Sequence, residues 1–239
     1  MKKIAVLFLG FFFVCGILNA QINTLTPKEV QQGWKLLFNG KNLDGWTSVG
    51  KDVPPTAGWV VENGILIVNK GGPQKGGDII TKEQYSDFEL IVEFKITKGA
   101  NSGIKYFFVR YDKGGWLGLE YQILDDATHP DAKLGIPGTR LQAGLYDMFA
   151  PAKNKKDSPV GEWNQARIVA KGSKVDHYLN GKKVLSFDRK SQKYIDAWKL
   201  SKYKESEPRF GDVEKGHILL QEHQDEVAFR NVKVRVLNK

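Results

Sequence analysis

The stretch FELIVEFKI, residues 88–96, carries an apolar side chain at every second position, and most positions between them are charged. A period of two is typical of a β-strand that buries one face and leaves the other in solvent. Helical periodicity is nearly absent from the rest of the chain. The sequence therefore indicates an all-β fold.

Three Asn-Gly pairs lie next to apolar or alternating segments, at Asn39-Gly40, Asn63-Gly64 and Asn180-Gly181. Asparagine and glycine both tolerate a positive φ, so each pair predicts a tight hairpin turn of the primed type. The second pair is flanked by GWVVE and ILIV, and the third by VDHYL and KKVLSF. These flanks predict two antiparallel strand pairs.

Further strands are predicted where short apolar or alternating runs end in turn residues, at 104–110, 117–124, 166–170, 217–223 and 227–237. About ten to twelve strands with few helices predict a two-sheet antiparallel β-sandwich of jelly-roll type. One short helix is expected from Thr26 to Gln32, with Thr26 as N-cap and Pro27 at the first helical position.

Two long segments, 125–141 and 191–216, show no regular pattern. Long loops on a rigid sandwich tend to carry function or to cover a site. No internal repeat, low-complexity tract or long linker divides the chain, so residues 21–239 are expected to form a single domain.

The N-terminus has the layout of a cleavable secretory signal. Lys2 and Lys3 precede an uncharged apolar run from Ile4 to Leu18, and Ala20 closes a small-residue site before a polar stretch. We expect residues 1–20 to be removed during export across the inner membrane, which leaves the mature protein in the periplasm. The run is shorter than the roughly 20 residues of a membrane span, so stable membrane insertion is not expected.

The single cysteine bears on both anchoring and chemistry. Val14 precedes Cys15, whereas a lipoprotein signal needs a small residue there, so lipid anchoring is the weaker interpretation. If Cys15 leaves with the signal, the mature chain has no thiol for a disulfide, a nucleophile or a metal site.

The charge pattern argues against a nucleic-acid partner. Removal of Lys2 and Lys3 takes the formal net charge from +9 to +7, and the remaining surplus is spread along the chain. No basic stripe with interleaved aromatic residues is present. The sequence gives no indication of the oligomeric state.

The stretch GLEYQILDDATHPDAK, residues 118–133, combines a predicted strand with an acid-rich loop. Successive side chains of a strand point to opposite faces, so Glu120 and Gln122 share one face. The alternate residues Leu119, Tyr121 and Ile123 form an apolar face that belongs in a core. The polar pair either meets water or lines a pocket.

Nine segments together resemble a known family. They are, in order, FNGKNLDGW, WVVENGILIV, GGDIITKEQYSDFELIVEFKI, NSGIKYFF, GLEYQILDDATHPDAK, GEWNQARIVAKG, YLNGKKV, GHILLQEH and VAFRNVKVRVL. In this order they resemble the 3-keto-disaccharide hydrolase family of secreted bacterial proteins, over nearly all of Gly33 to Leu237. The resemblance implies a concanavalin A-like, glucanase-like sandwich that acts on sugars oxidised at C3. One departure is that His223 is followed by Gln224, where family members often have glycine.

The implied chemistry needs a base, an acid and an electrophilic donor. A ketone at C3 makes the C2 hydrogen acidic, so a base can remove it and the C1 substituent can leave by β-elimination. We expect Glu120 to be the base, because a carboxylate in a sandwich groove can be partly desolvated. His223 is the second catalytic candidate, since histidine exchanges protons near neutral pH.

The remaining candidates are expected to bind the sugar. Lys105 could steady the enolate oxygen, and Gln221 shares its face with His223 in LLQEH. Asn101-Ser102-Gly103 is interpreted as a turn or bulge before a strand. The full predicted set of substrate-binding residues is Gln122, Gln221, Lys105, Asn101, Tyr146, Arg140 and Asp125.

No cofactor is firmly implied. A divalent metal could be held by acidic and histidine side chains of the Asp125–Asp131 loop together with His217 and His223, but no ligand spacing is diagnostic.

Two other functions remain open from the sequence. Retaining glucanases of this class carry glutamate, aspartate and glutamate at a spacing that here gives Glu120, Gln122 and Asp125, and retention needs carboxyl groups about 5–5.5 Å apart. The amide at position 122 argues against that chemistry. The other alternative is a carbohydrate-binding sandwich without catalysis.

Overall fold

Alternation of buried and exposed side chains along β-strands dominates the structure. The computed structural model describes residues 22–206 and 209–237, and the predicted signal peptide at 1–20 lies outside them. The thirteen strands of the described residues are β1 Trp34–Leu36, β2 Trp46–Ser48, β3 Trp59–Glu62, β4 Ile65–Val68, β5 Ile79–Thr81, β6 Phe88–Ile96, β7 Asn101–Tyr111, β8 Gly115–Leu124, β9 Asn164–Lys171, β10 Lys174–Leu179, β11 Lys182–Asp188, β12 His217–Leu220 and β13 Val227–Val236. The helices are α1 Pro27–Gln31, α2 Gln192–Leu200 and a short 3-10 helix at Pro130–Lys133.

The strands form two antiparallel sheets. The eight-stranded sheet has the order β11-β10-β9-β6-β13-β4-β3, with β1 paired to the other part of β13. The five-stranded sheet has the order β2-β5-β12-β7-β8. The predicted two-sheet antiparallel sandwich is therefore confirmed.

The core lies between the sheets and is rich in aromatic rings. Phe88 of β6 lies 6.1 Å from the ring of Tyr106 and 5.8 Å from that of Phe107, both on β7. All three residues are buried. The alternation in residues 88–96 thus buries one face of β6 against the opposite sheet, as two packed sheets require.

Two of the three predicted hairpins are present. Asn63-Gly64 joins β3 to β4 and Asn180-Gly181 joins β10 to β11, and all four residues have positive φ. The predicted hairpin at Asn39-Gly40 is wrong. There the Asn39 side chain accepts hydrogen bonds from the backbone N–H groups of Lys41 and Asn42, which stabilises a local turn instead.

The N-terminal helix α1 is confirmed, since Thr26 and Glu29 form a reciprocal capping box. Two other boundaries are corrected. The Asn101-Ser102-Gly103 segment belongs to β7 itself rather than to a preceding turn. Part of the segment 191–216 is helical, because α2 begins after the N-cap Ser191. Among the described residues, no helix has the length and apolar composition needed to cross a membrane.

One buried histidine connects the two sheets. His177 of β10 has no exposed surface, its Nε2 lies 2.7 Å from the Tyr106 hydroxyl, and its Nδ1 lies 3.0 Å from the carbonyl oxygen of Ala143. A neutral ring can donate from Nδ1 and accept at Nε2. Burial lowers the pKa of His177 to about 4, so the ring is neutral at pH 7.

This burial makes stability depend on pH. The pKa of His177 is about 6.5 in the unfolded chain and about 4 in the folded protein. Between these pH values the histidine is protonated in the unfolded chain and neutral in the folded protein, so the free energy of unfolding falls as pH falls. From pH 7 to pH 5 we expect His177 to account for a loss of about 2 kcal/mol in the free energy of unfolding. Urea titrations of the wild type and of His177→Gln would measure it. The difference in the free energy of unfolding between wild type and His177→Gln should be smaller at pH 5 than at pH 7 by that amount. An equal difference at both pH values would contradict a neutral, buried His177.

Candidate functional site

Glu120 and Lys105 define a polar position on the outer face of the five-stranded sheet. Glu120 of β8 lies directly opposite Lys105 of β7 in the antiparallel register. Opposed residues on paired strands project from the same face. The neighbours Leu119 and Tyr121 are fully buried in the core between the sheets, so Glu120 and Lys105 point away from it.

The end of β12 brings a second polar segment to the same place. Leu219 pairs with Lys105, and the Gln221 N–H donates to the Gly103 carbonyl at 3.0 Å. The predicted strand 217–223 is too long, because β12 ends at Leu220. Beyond it, the Glu222 N–H turns to the Asp78 carboxylate at 2.8 Å instead of to a neighbouring strand.

These segments enclose a small pocket, which we call the Glu120 pocket. Six of its seven lining residues are among the candidates from the sequence, and the seventh is Lys202; the full set is Asn101, Lys105, Glu120, Tyr146, Lys202, Gln221 and His223. Its volume of about 60 Å³ is larger than a single water and smaller than a sugar. It therefore suits one edge of a sugar ring.

The Glu120 carboxylate is held in a nearly closed environment. The residue is 5% exposed, and Oε2 lies 3.8 Å from the Lys105 ammonium nitrogen. A β-carbon placed on Gly103 would lie 2.5 Å from Glu120 Oε1, so the carboxylate fills the space that a side chain at position 103 would need. A glycine in β7 and a cation beside it thus create a site for a buried carboxylate.

Gln122 lies behind Glu120 rather than in the pocket, which corrects its expected contact with the sugar. It is 0% exposed. With its amide oriented to satisfy its neighbours, the NH₂ group donates to Glu120 Oε1 and to the Ser102 carbonyl, each at 3.2 Å. Gln122 therefore orients the carboxylate.

Gln221 offers an open acceptor to the pocket. Its side-chain Oε1 is buried and has no hydrogen-bond partner within the described residues. Buried polar atoms are nearly always paired, so an unpaired one that lines a pocket favours a ligand donor such as a sugar hydroxyl. His223 is exposed at the rim, with its ring 6.3 Å from that of His129.

Tyr146 is fixed by ion pairs that lie outside the pocket. Its hydroxyl donates to Asp131 Oδ2 at 2.8 Å, and Arg140 bridges Asp131 at 2.6 Å and Asp147 at 2.7 Å. Burial and the bond to Asp131 raise the pKa of Tyr146. Arg140 does not line the pocket as expected, because both carboxylates hold it behind Tyr146.

Asp125 also has a structural position, contrary to the expected sugar contact. Its carboxylate accepts from the Gly99 N–H at 2.8 Å, the Thr128 hydroxyl at 2.5 Å and the Ala127 N–H at 3.1 Å. These bonds close the loop that follows β8. Because Asp125 is occupied in this way and position 122 is an amide, the acid pattern of a retaining glucanase is not reproduced at positions 120, 122 and 125.

Asp78 lies beside Lys105, outside the lining of the Glu120 pocket, and no sequence pattern singled it out. It lies directly before β5, with Oδ1 accepting from the Glu222 N–H at 2.8 Å and Oδ2 4.0 Å from the Lys105 nitrogen. Desolvation raises the pKa of Asp78, and the nearby carboxylates of Glu120 and Glu222 raise it further, while Lys105 opposes them. The acid falls within the segment GGDIIT, but an aspartate before a strand is also an ordinary turn residue.

Lys202 is the other residue that the sequence missed. As a whole residue it is exposed, but its ammonium nitrogen lies 4.3 Å from the ring centroid of Tyr146 and lines the pocket. Desolvation lowers the pKa of Lys202, Glu120 opposes this, and Lys105 lowers it again. The only sequence signal was its place in the long segment 191–216.

Metal ligands are not clustered in the part of the chain that the structure describes. No group of three or more histidine, cysteine, aspartate or glutamate side chains there has the geometry to hold a metal ion. The sequence left a divalent metal unassigned, and activity before and after dialysis against EDTA would test whether one is needed.

The arrangement can be compared with known proteins. A family model described as the 3-keto-alpha-glucoside-1,2-lyase-like domain matches residues 33–235. The chain belongs to this family. The match covers both sheets and every residue that lines the Glu120 pocket.

Similar proteins are found in Bacteroides thetaiotaomicron and Parabacteroides distasonis. A 3-keto-disaccharide hydrolase of Bacteroides thetaiotaomicron is 35% identical over 244 residues, covering 92% of this chain and 83% of the relative. A crystal structure from Parabacteroides distasonis, with a provisional glycosyl hydrolase assignment, has a TM-score of 0.79 at 31% identity and covers 91% of this chain and 100% of its own. A second structure from that organism, with the same assignment, has a TM-score of 0.64 at 30% identity and covers 85% of this chain and 99% of its own.

The contact between Gly103 and Glu120 generates a testable coupling. Gly103→Ala should lower the free energy of unfolding by about 1–3 kcal/mol, because the new methyl group overlaps the Glu120 carboxylate. Combined with Glu120→Ala, most of that cost should disappear.

Gly118→Ala is the matched control. A β-carbon at Gly118 would lie 2.8 Å from Phe108 Cα and 2.9 Å from the Tyr106 carbonyl oxygen, so its cost involves backbone atoms. Glu120→Ala should not relieve it. Urea unfolding of the two single-glycine variants and of both double variants measures the coupling. If Glu120→Ala relieves the cost of Gly103→Ala no more than that of Gly118→Ala, the proposed contact is contradicted.

Proposed function

We propose that this protein cleaves the glycosidic bond of 3-keto-glucosides by base-assisted β-elimination across C1 and C2, with or without addition of water to the product. The observation that carries the proposal is the buried Glu120 carboxylate beside Lys105, in a pocket where Gln221 offers an unpaired acceptor. Membership of a family of sugar-cleaving enzymes supports the same substrate class.

The proposed reaction begins at C2. Glu120 takes the C2 proton, and the electron pair of that C–H bond is stabilised through the C3 carbonyl as an enolate. Lys105, which lies 3.8 Å from Glu120, is the donor placed to stabilise the enolate oxygen. Collapse of the enolate forms the C1–C2 double bond and breaks the bond from C1 to the leaving oxygen. Addition of water would convert the elimination product into the free keto sugar.

The leaving oxygen needs a proton, and we assign that role to Asp78, which lies beside Lys105 although it does not line the pocket. Burial raises its pKa, which favours the protonated form that an acid requires. Asp78 and Glu120 lie on opposite sides of Lys105, at 4.0 Å and 3.8 Å from its nitrogen. His223 lies at the exposed rim and is the competing acid.

Secretion into the periplasm is part of the proposal and rests on residues 1–20. Intact-mass measurement of the protein from its native host would test it, because removal of the signal should leave a chain that begins at Gln21.

Glu120→Gln should abolish turnover while ligand binding is kept. Loss of the base should lower kcat on a methyl 3-keto-glucoside by about 10²–10⁴-fold, since proton transfer from C2 then has no acceptor. Turnover would be followed by mass spectrometry and ligand affinity by calorimetry. Glu162→Gln, at an exposed position, is the matched control and should keep wild-type activity.

Two outcomes would replace the proposal. Cleavage of plain methyl glucoside at a rate similar to that of its 3-keto form would indicate an ordinary glycoside hydrolase. Binding of the sugars without turnover of any 3-keto-glucoside, in the α or β series, would indicate a non-catalytic carbohydrate-binding sandwich.

Substrates with different leaving groups can separate the role of Asp78 as acid from the role of Glu120 as base. Asp78→Asn should slow release of methanol by about 10²-fold, but release of 4-nitrophenol much less, because nitrophenolate leaves without a proton. His223→Gln serves as the comparison. If His223→Gln shows this selective loss and Asp78→Asn does not, the acid is His223.

A further inference from the structure

A larger pocket lies on the same face of the five-stranded sheet as the Glu120 pocket. We call it the Trp116 pocket; its lining includes Thr47, Gly50, Ile80, Thr81, Trp116 and His217. Its volume is about 400 Å³, within the range of small-ligand sites. Trp116 and Glu120 lie four positions apart on the regular strand β8, and this even spacing makes both project from one face.

Strands β8 and β12 both run from the Trp116 pocket towards the Glu120 pocket. Strands β8 and β12 are both antiparallel to β7, so they run parallel to each other. On β8 the face runs from Trp116 to Glu120, and on β12 it runs from His217 to Leu219, with Gln221 just beyond the strand. Each pocket is therefore built from corresponding positions of the two strands. Four residues of strand place Trp116 about 13 Å from Glu120.

A buried apolar cluster lies beneath Trp116 on this outer face of the sheet. Phe108, Leu219 and Ile80 form a hydrophobic cluster separate from the main core, and Trp116 packs against it. The rings of Phe108 and Trp116 stack at 5.6 Å with an interplanar angle of 17°. Gly118 allows this arrangement, because a β-carbon there would lie 3.0 Å from Phe108 Cβ. The indole is thus held in one orientation by its neighbours.

Trp116 differs from three structural tryptophans of the fold, although Trp34 and Trp163 also have no indole acceptor among the described residues. The indole N–H groups of Trp46, Trp59 and Trp198 each donate to a backbone carbonyl. Within residues 22–206 and 209–237, the N–H of Trp116 has no protein acceptor. Gly50, with φ of +72°, lies beside that edge, and a β-carbon there would be 3.6 Å from the indole nitrogen. An open N–H and a half-buried ring favour a ligand with both an apolar face and oxygen acceptors.

We propose that the Trp116 pocket is a second carbohydrate subsite, which binds a sugar of the leaving group about two rings beyond the bond that is cleaved. A pyranose has an apolar C–H face for the indole and hydroxyl groups for its N–H and for the exposed rim residues Lys51, Asp52 and Lys82. This inference rests on the proposed function for its orientation. It means that the enzyme prefers substrates longer than a disaccharide.

Binding tests the subsite whether or not turnover is observed. The ligands are unoxidised maltose and maltotriose, and cellobiose and cellotriose, titrated by calorimetry. In at least one series the trisaccharide should bind wild-type protein about three- to tenfold more tightly than the disaccharide, and Trp116→Ala should remove that difference. Trp116→Phe should keep part of it. Trp163→Ala is the matched control, because Trp163 lies under Arg230 at 4.0 Å, away from this face.

Turnover separates this inference from the proposed function. With 3-keto substrates oxidised at the non-reducing end, Trp116→Ala should lower kcat/KM for the trisaccharide by three- to tenfold and leave the disaccharide unchanged. Cleavage of both substrates with no length dependence in wild type or variant overturns the subsite and leaves the function intact. A length dependence of binding that Trp116→Ala removes, without any turnover, supports the subsite and overturns the function.

Discussion

Burial of one carboxylate is the constraint on which the site depends. Glu120 is almost completely removed from solvent, and a charge in that position requires a cation and hydrogen-bond donors close by. Lys105 supplies the cation, Gln122 supplies a donor from behind, and Gly103 leaves the space. All four residues come from the paired strands β7 and β8, so the register of a single hairpin sets the position of the charge.

The sandwich keeps this polar site rigid because each strand has one face in the core and one face outside it. The inner face of β7 and β8 packs aromatic and aliphatic side chains against β6, while the outer face carries the charged groups. A shift of one residue would exchange the two faces and is opposed by the whole core. The energy of the hydrophobic core is therefore what maintains the distances between Lys105, Glu120 and Asp78.

Local patterns in the sequence predicted the elements well, and non-local contacts account for most of what was missed. The alternation in residues 88–96 and the Asn-Gly pairs at positions 63 and 180 report on backbone periodicity and φ, which are properties of short segments. Gln122 was assigned to the correct strand face but to the wrong neighbour, because its partner Ser102 lies on another strand. Asp78 and Lys202 reach the site only through chain segments far apart in sequence, and no short motif marks either residue.

The ion pairs behind Tyr146 bear on the order in which products leave. Arg140 is held between Asp131 and Asp147, and the loop that carries Tyr146 is also joined to the core through Ala143 and His177. A loop tied at several buried points does not swing aside easily, so departure by loop opening is unfavourable. The sheet face towards Trp116 offers a path that needs no movement of this loop. In the binding mode we propose, the keto sugar lies in the Glu120 pocket and the leaving group lies along that path, so the leaving group would depart first and the keto sugar second.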